Sequence, residues 1–131
     1  SIDKSFQPYF SPVYDTARGL FWNYSENKIK DIVVINKTKT NHIKTYCDKS
    51  RPKIGWDGTK NINHFRLFEK IYNNEFYISK KEVQDLLTPH LLELMKSEVR
   101  TGFYELMTPE RIIMICECLD YRFNKLKGIS T

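Results

Sequence analysis

From Asn63 onward, apolar side chains recur at helical spacing. Phe65, Phe68 and Ile71 or Tyr72 fall on one face, which predicts a helix of about three turns ending near Asn73 and Asn74. Ser79-Lys80-Lys81-Glu82 has capping-box spacing: the Ser79 hydroxyl accepts from the amide of Glu82 while Glu82 reaches back, and Val83, Leu86 and Leu87 then point inward. Thr88-Pro89 and Thr108-Pro109 repeat one device, a hydroxyl N-cap followed by a proline at the first helical position, where the missing N–H costs nothing. The first pair predicts a helix presenting Leu91, Leu92, Leu94, Met95 and Val99 before Gly102. The second predicts a helix from Pro109 to Lys127, with Ile112, Cys116, Leu119, Phe123 and Leu126 on one stripe and a stop at Gly128.

The first half is patterned differently. Phe6 to Tyr14 combines aromatics with Pro8 and Pro12, which restrict it to a short strand or extended arm. Ser25 to Ile35 fits either a short helix or a strand, because the β-branched run Ile32, Val33, Val34, Ile35 follows neither period cleanly. Residues 36–63 are polar, basic and broken by Pro52, Gly55 and Gly58. They predict a long loop with one helical turn inside it, pinned by Ile54 and Trp56. The chain divides into an arm over 1–24, a basic segment and loop over 25–63, and a helical bundle over 64–131, all in a single domain.

Composition adds charge to this picture. The 131 residues carry 40% apolar positions, enough for one buried core, and a net charge of +5. Residues 28–60 concentrate that charge, with nine Lys or Arg against three Asp. Such a surface faces a nucleic acid, a phosphorylated ligand or an acidic partner protein, with Lys37, Lys39, Lys44, Arg51 and Lys53 as the candidate contacts; the plain alternative is a solvated Lys-rich loop. No apolar run approaches the roughly 18–20 residues that span a bilayer. The odd count of three cysteines suits a reducing cytoplasm, so the expectation is a soluble cytoplasmic protein.

Self-contained catalytic motifs are missing. Cys116 and Cys118 stand two apart on a predicted helix, where side chains diverge by roughly 200°, and His42, His64 and His90 are scattered, so zinc-ligand spacing is not met. The five glycines form neither a P-loop nor a dinucleotide fingerprint. What remains is Asp15, a carboxylate after an aromatic extended arm and before the turn Thr16-Ala17-Arg18-Gly19. It suits a hard cation such as Mg²⁺, and equally a turn or helix cap.

The stretch from Tyr9 to Leu20, YFSPVYDTARGL, resembles the segment of HipA-type serine/threonine kinases in which a Pro-x-Tyr/Phe-Asp motif stands in place of Asp-Phe-Gly. Ser50 to Trp56 and Asn61 to Phe65 are similar to a sub-group of HipA-like bacterial proteins, which belong to toxin-antitoxin systems. The resemblance implies a mainly α fold: a helical bundle like the C-terminal half of a kinase C-lobe, with a short extended segment at its N-terminus. It makes Asp15 the residue that bridges Mg²⁺ to the phosphates of ATP. Kinase chemistry also needs a phosphate-covering loop, a lysine, and a catalytic-loop Asp and Asn ahead of the metal aspartate. Ser1 to Tyr14 contain none of these patterns. The resemblance therefore implies the C-terminal portion of a kinase, inactive and without Mg²⁺ or ATP by itself, whose partners are the rest of the kinase domain and an antitoxin-like protein.

Overall fold

The computed structural model describes residues 21, 23–51, 55–56, 58–74, 79–102 and 104–130. Over these residues the chain is mainly helical, as expected. The elements are α1 (Glu26–Lys30), a π-helical turn (Asp31–Ile35), α2 (Lys39–Asp48), α3 (His64–Tyr72), α4 (Lys80–Leu86), α5 (Pro89–Gly102) and α6 (Pro109–Ile129). The arm expected over Phe6 to Tyr14, and Asp15 with it, lies outside the described residues.

The hydroxyl N-caps read from sequence are present. Ser79 Oγ accepts from the Glu82 amide at 3.4 Å, Thr88 Oγ1 from Leu91 at 3.2 Å, and Thr108 Oγ1 from Arg111 at 3.3 Å. Each satisfies an amide that the first helical turn leaves without a partner. The ambiguous stretch from Ser25 resolves as helix: Ser25 caps α1, Ile29 and Ile32 turn inward, and the Asn36 amide reaches back five residues to the Asp31 carbonyl at 2.8 Å. This wide turn leaves Val34 and Ile35 exposed at the surface.

Several expectations need correction, two of them about where helices run. The long loop assigned to residues 36–63 contains the ten-residue helix α2, because Ile43 and Cys47, four apart, both bury against α6. Two inward side chains are too few to generate a visible period, so tertiary burial decides the conformation. Of the proposed loop anchors, Ile54 is outside the described residues and Trp56 is half-buried, whereas Ile62 is buried. The second correction concerns α6, which continues through Gly128 to Ile129 instead of stopping. Ser130 caps it, donating its amide to Leu126 at 3.0 Å, and its carbonyl accepts from Tyr72 Oη at 2.8 Å and Gln84 Nε2 at 3.0 Å. A glycine inside a helix is disfavoured by only about 1 kcal/mol relative to alanine, less than this buried network contributes.

The core forms where α1, the π-helical turn and α2 meet the middle of α6. It comprises Phe21, Ile29, Ile32, Ile43, Cys47, Met114, Ile115 and Cys118. The basic segment thus supplies half of the core. On α6, Met114, Ile115, Cys116, Cys118 and Phe123 are all buried, a wider face than the single stripe expected, because neighbours pack on several sides of it. α5 packs on α6 with Leu91, Leu92, Met95 and Val99 half-buried, while Leu94 and, on α4, Leu86 face outward instead of inward. Arg111 fastens the N-terminal side to α6: its guanidinium donates to the carbonyls of Phe21 and Tyr24 and to the Glu26 carboxylate. Among the described residues no helix is long and apolar enough to cross a membrane.

Candidate anion-binding cleft

The turn between α2 and α3 is built around Asn63. Its side-chain oxygen accepts from the Phe65 amide at 3.0 Å, capping α3. Its side-chain nitrogen donates to the carbonyls of Ser50 at 2.7 Å and Asp48 at 3.2 Å, closing the end of α2. One amide group therefore fixes the end of one helix to the start of the next. Between them the chain reverses at Gly58, whose φ of 79° favours glycine, so that Trp56 and Thr59 exchange two backbone hydrogen bonds of 2.9 Å.

This arrangement frames a cleft of about 400 Å³ lined by Asp48, Arg51, Thr59, Ile62, Asn63, Arg66 and Lys70. Arg66 and Lys70 stand four apart on α3, one turn above the other, and Arg51 faces them from the end of α2. Among the described residues neither Arg51 nor Lys70 has a carboxylate partner, and Arg66 has one loose contact, to Glu69 at 3.6 Å. The single acid in the lining among the described residues does not cancel this charge. Asp48 already accepts from Lys44 at 2.7 Å and Tyr121 Oη at 2.5 Å, with Lys125 at 3.9 Å, and those donors hold its carboxyl below the usual carboxylate range. Three cations and Thr59 thus line one cleft, a set of donors that suits a phosphate or carboxylate, while the Asn63 amide is already engaged in holding the turn.

Of the basic residues singled out by sequence, one lines this cleft. Arg51 lines the cleft, whereas Lys39 pairs with Glu117 at 3.2 Å and Lys44 with Asp48. Lys37 sits at the turn before α2 with φ 53°, and Lys53 lies outside the described residues, as does Asp15. Arg66 and Lys70 lie beyond the charge-dense stretch over 28–60 and were not among the expected contacts. Their own signal, two cations at i and i+4 opposite the apolar face of α3, was available.

A second hollow of about 380 Å³ lies beside α2, lined by Tyr24, Thr38, Asn41, His42, Thr45 and Tyr46. The Tyr24 hydroxyl and His42 Nε2 are 2.7 Å apart, and Lys28 Nζ lies 3.9 Å from the Tyr24 ring centroid. Burial, and then Lys28, hold the His42 pKa below its ordinary value, so the imidazole stays neutral at physiological pH. Among the described residues no group of three or more His, Cys, Asp or Glu is placed to hold a metal ion.

Compared with known proteins, the chain matches no family model, no curated protein and no solved structure. The cleft is therefore read from its own chemistry.

Proposed function

We propose that the chain is a binding module whose cleft between α2 and α3 takes the backbone phosphates of a nucleic acid. The observation that carries this reading is that Arg51, Arg66 and Lys70 line one cleft whose only carboxylate among the described residues is already engaged. Guanidinium groups match a phosphate with two parallel hydrogen bonds, and a lysine adds a point charge. Three such contacts give weak binding, with Kd on the order of 10⁻⁴–10⁻⁶ M at physiological salt and little sequence preference.

The test is a titration of labelled single-stranded and duplex oligonucleotides at several salt concentrations. Wild type binds with an affinity that falls as salt rises. The Arg66→Ala/Lys70→Ala double variant loses about two units of the duplex slope of log K against log salt. Binding of an acidic peptide with no binding of either oligonucleotide redirects the cleft to a carboxylate-bearing protein; binding unchanged in the double variant removes the proposal.

The Pro-x-Tyr-Asp core, Pro12-Val13-Tyr14-Asp15, favours a second reading. In it the chain is the C-terminal portion of a HipA-like serine/threonine kinase, and Asp15 holds Mg²⁺ against ATP once the rest of the kinase domain is present. Its test is reconstitution with a HipA-type N-terminal half. Phosphoryl transfer that Asp15→Asn abolishes supports it, and transfer indifferent to that substitution contradicts it.

A further inference from the structure

The cysteines supply an inference independent of the basic cleft. Cys47 on α2 and Cys118 on α6 are 71 positions apart in sequence, yet their sulfurs lie 3.4 Å from each other in the core. Both are free thiols in contact, one able to donate S–H to the other. Arg122, one turn after Cys118 on α6, is near enough to both sulfurs for its guanidinium charge to act on them. Cys116, also buried, makes no sulfur hydrogen bond among the described residues and, two positions from Cys118, belongs to a different side of the helix. Arg122 is half-buried, and beside a pair serving only to fill space a partly desolvated cation brings no gain. For a pair that ionises, it is the group that stabilises the thiolate.

We propose that Cys47 and Cys118 form an oxidisable dithiol, a modification site at which a hydroperoxide converts the two thiols to a disulfide joining α2 to α6. The Cys47 thiolate attacks one oxygen of the hydroperoxide: an S–O bond forms, the O–O bond breaks, and the departing alkoxide or hydroxide takes up a proton. The Cys118 sulfur then attacks the sulfenic sulfur of Cys47. The S–S bond forms as the S–O bond breaks, and hydroxide leaves with the Cys118 proton as water. Two thiols and one hydroperoxide give one disulfide, one alcohol or water, and one further water; two electrons pass from sulfur to oxygen. The sulfurs need to close by about 1.4 Å to reach disulfide bonding distance, a shift within reach of side-chain torsions. Neither sulfur is exposed, so the peroxide reaches them through local opening at the end of α2, whose last carbonyls are held by Asn63 alone among the described side chains.

The test uses the full chain under native conditions, exposed to hydrogen peroxide, alkylated and mapped by mass spectrometry without reduction. The expected product is one peptide pair linking Cys47 to Cys118 within a monomer, two hydrogens lighter than the separate peptides, with Cys116 alkylated. Melting should rise by about 5–10 °C and return on reduction with dithiothreitol. Cys116→Ser keeps the link. Arg122→Met slows its formation several-fold if it folds, and the wild-type map stands without that variant. Three free thiols after a treatment that fully oxidises an unstructured cysteine peptide would overturn the proposal, as would a link through Cys116 or between chains.

Discussion

Asn63 joins two helix ends through one planar amide, so its removal exposes more than a single missing bond. Alanine there leaves the Phe65 amide and the carbonyls of Asp48 and Ser50 without their partner. Asn63→Ala should cost about 1–2 kcal/mol by denaturant unfolding, and Asn63→Asp should recover part of this because the α3 cap survives while the amide donors do not. Equal losses for the two variants would show that the donors alone matter and the cap does not. His42 permits a pH prediction at the same scale. Burial lowers its folded pKa and that of His64 relative to the unfolded value, the second cause being Lys28 for His42 and Arg122 for His64. The unfolded chain then binds protons more readily. These groups contribute stability that is complete above about pH 6.5 and is lost as pH falls through the depressed folded values. Thermal melts from pH 7.5 to 5 should show a falling midpoint, with a shallower fall in His42→Gln. An identical slope in that variant would locate the dependence elsewhere.

At the scale of elements, what could be read from sequence depended on how each helix is held. Helices whose ends carry local chemistry were legible: Thr88 and Thr108 cap where their Thr-Pro pairs predict, and α3 spans the expected turns. α2 was not, because it buries only Ile43 and Cys47 and draws its stability from α6 instead of from its own pattern. Gly128 misled for a similar reason, since the bonds that carry α6 past it come from Tyr72 and Gln84, far away in sequence. Burial sets the corresponding mutational prediction. Met114, fully buried at the contact between α6 and the N-terminal helices, should lose about 2–5 kcal/mol as alanine. Leu94 is half exposed on α5, and Leu94→Ala should stay within about 0.5 kcal/mol. Urea unfolding of the two variants measures both, and comparable losses would contradict the packing described.

For the whole molecule, the net charge of +5 is a poor guide to where the cations gather. Folding spends several of the early cations on internal pairs: Lys39 with Glu117 across α2 and α6, Lys44 with Asp48 along α2. It also brings Arg66 and Lys70, beyond the charge-dense stretch, beside Arg51. That grouping is a product of tertiary structure, set by the Asn63 turn, and the sequence carried only its separate parts. The kinase-like segment around Asp15 lies outside the described residues, so it bears on the second reading through sequence alone. The most direct measurement of the central claim is a ¹H–¹⁵N spectrum of the chain titrated with a short oligonucleotide at low salt. The account predicts progressive shifts gathered at Arg51, Thr59, Asn63, Arg66 and Lys70, reversed by added salt. Shifts centred on another face, or none at millimolar oligonucleotide, would contradict it.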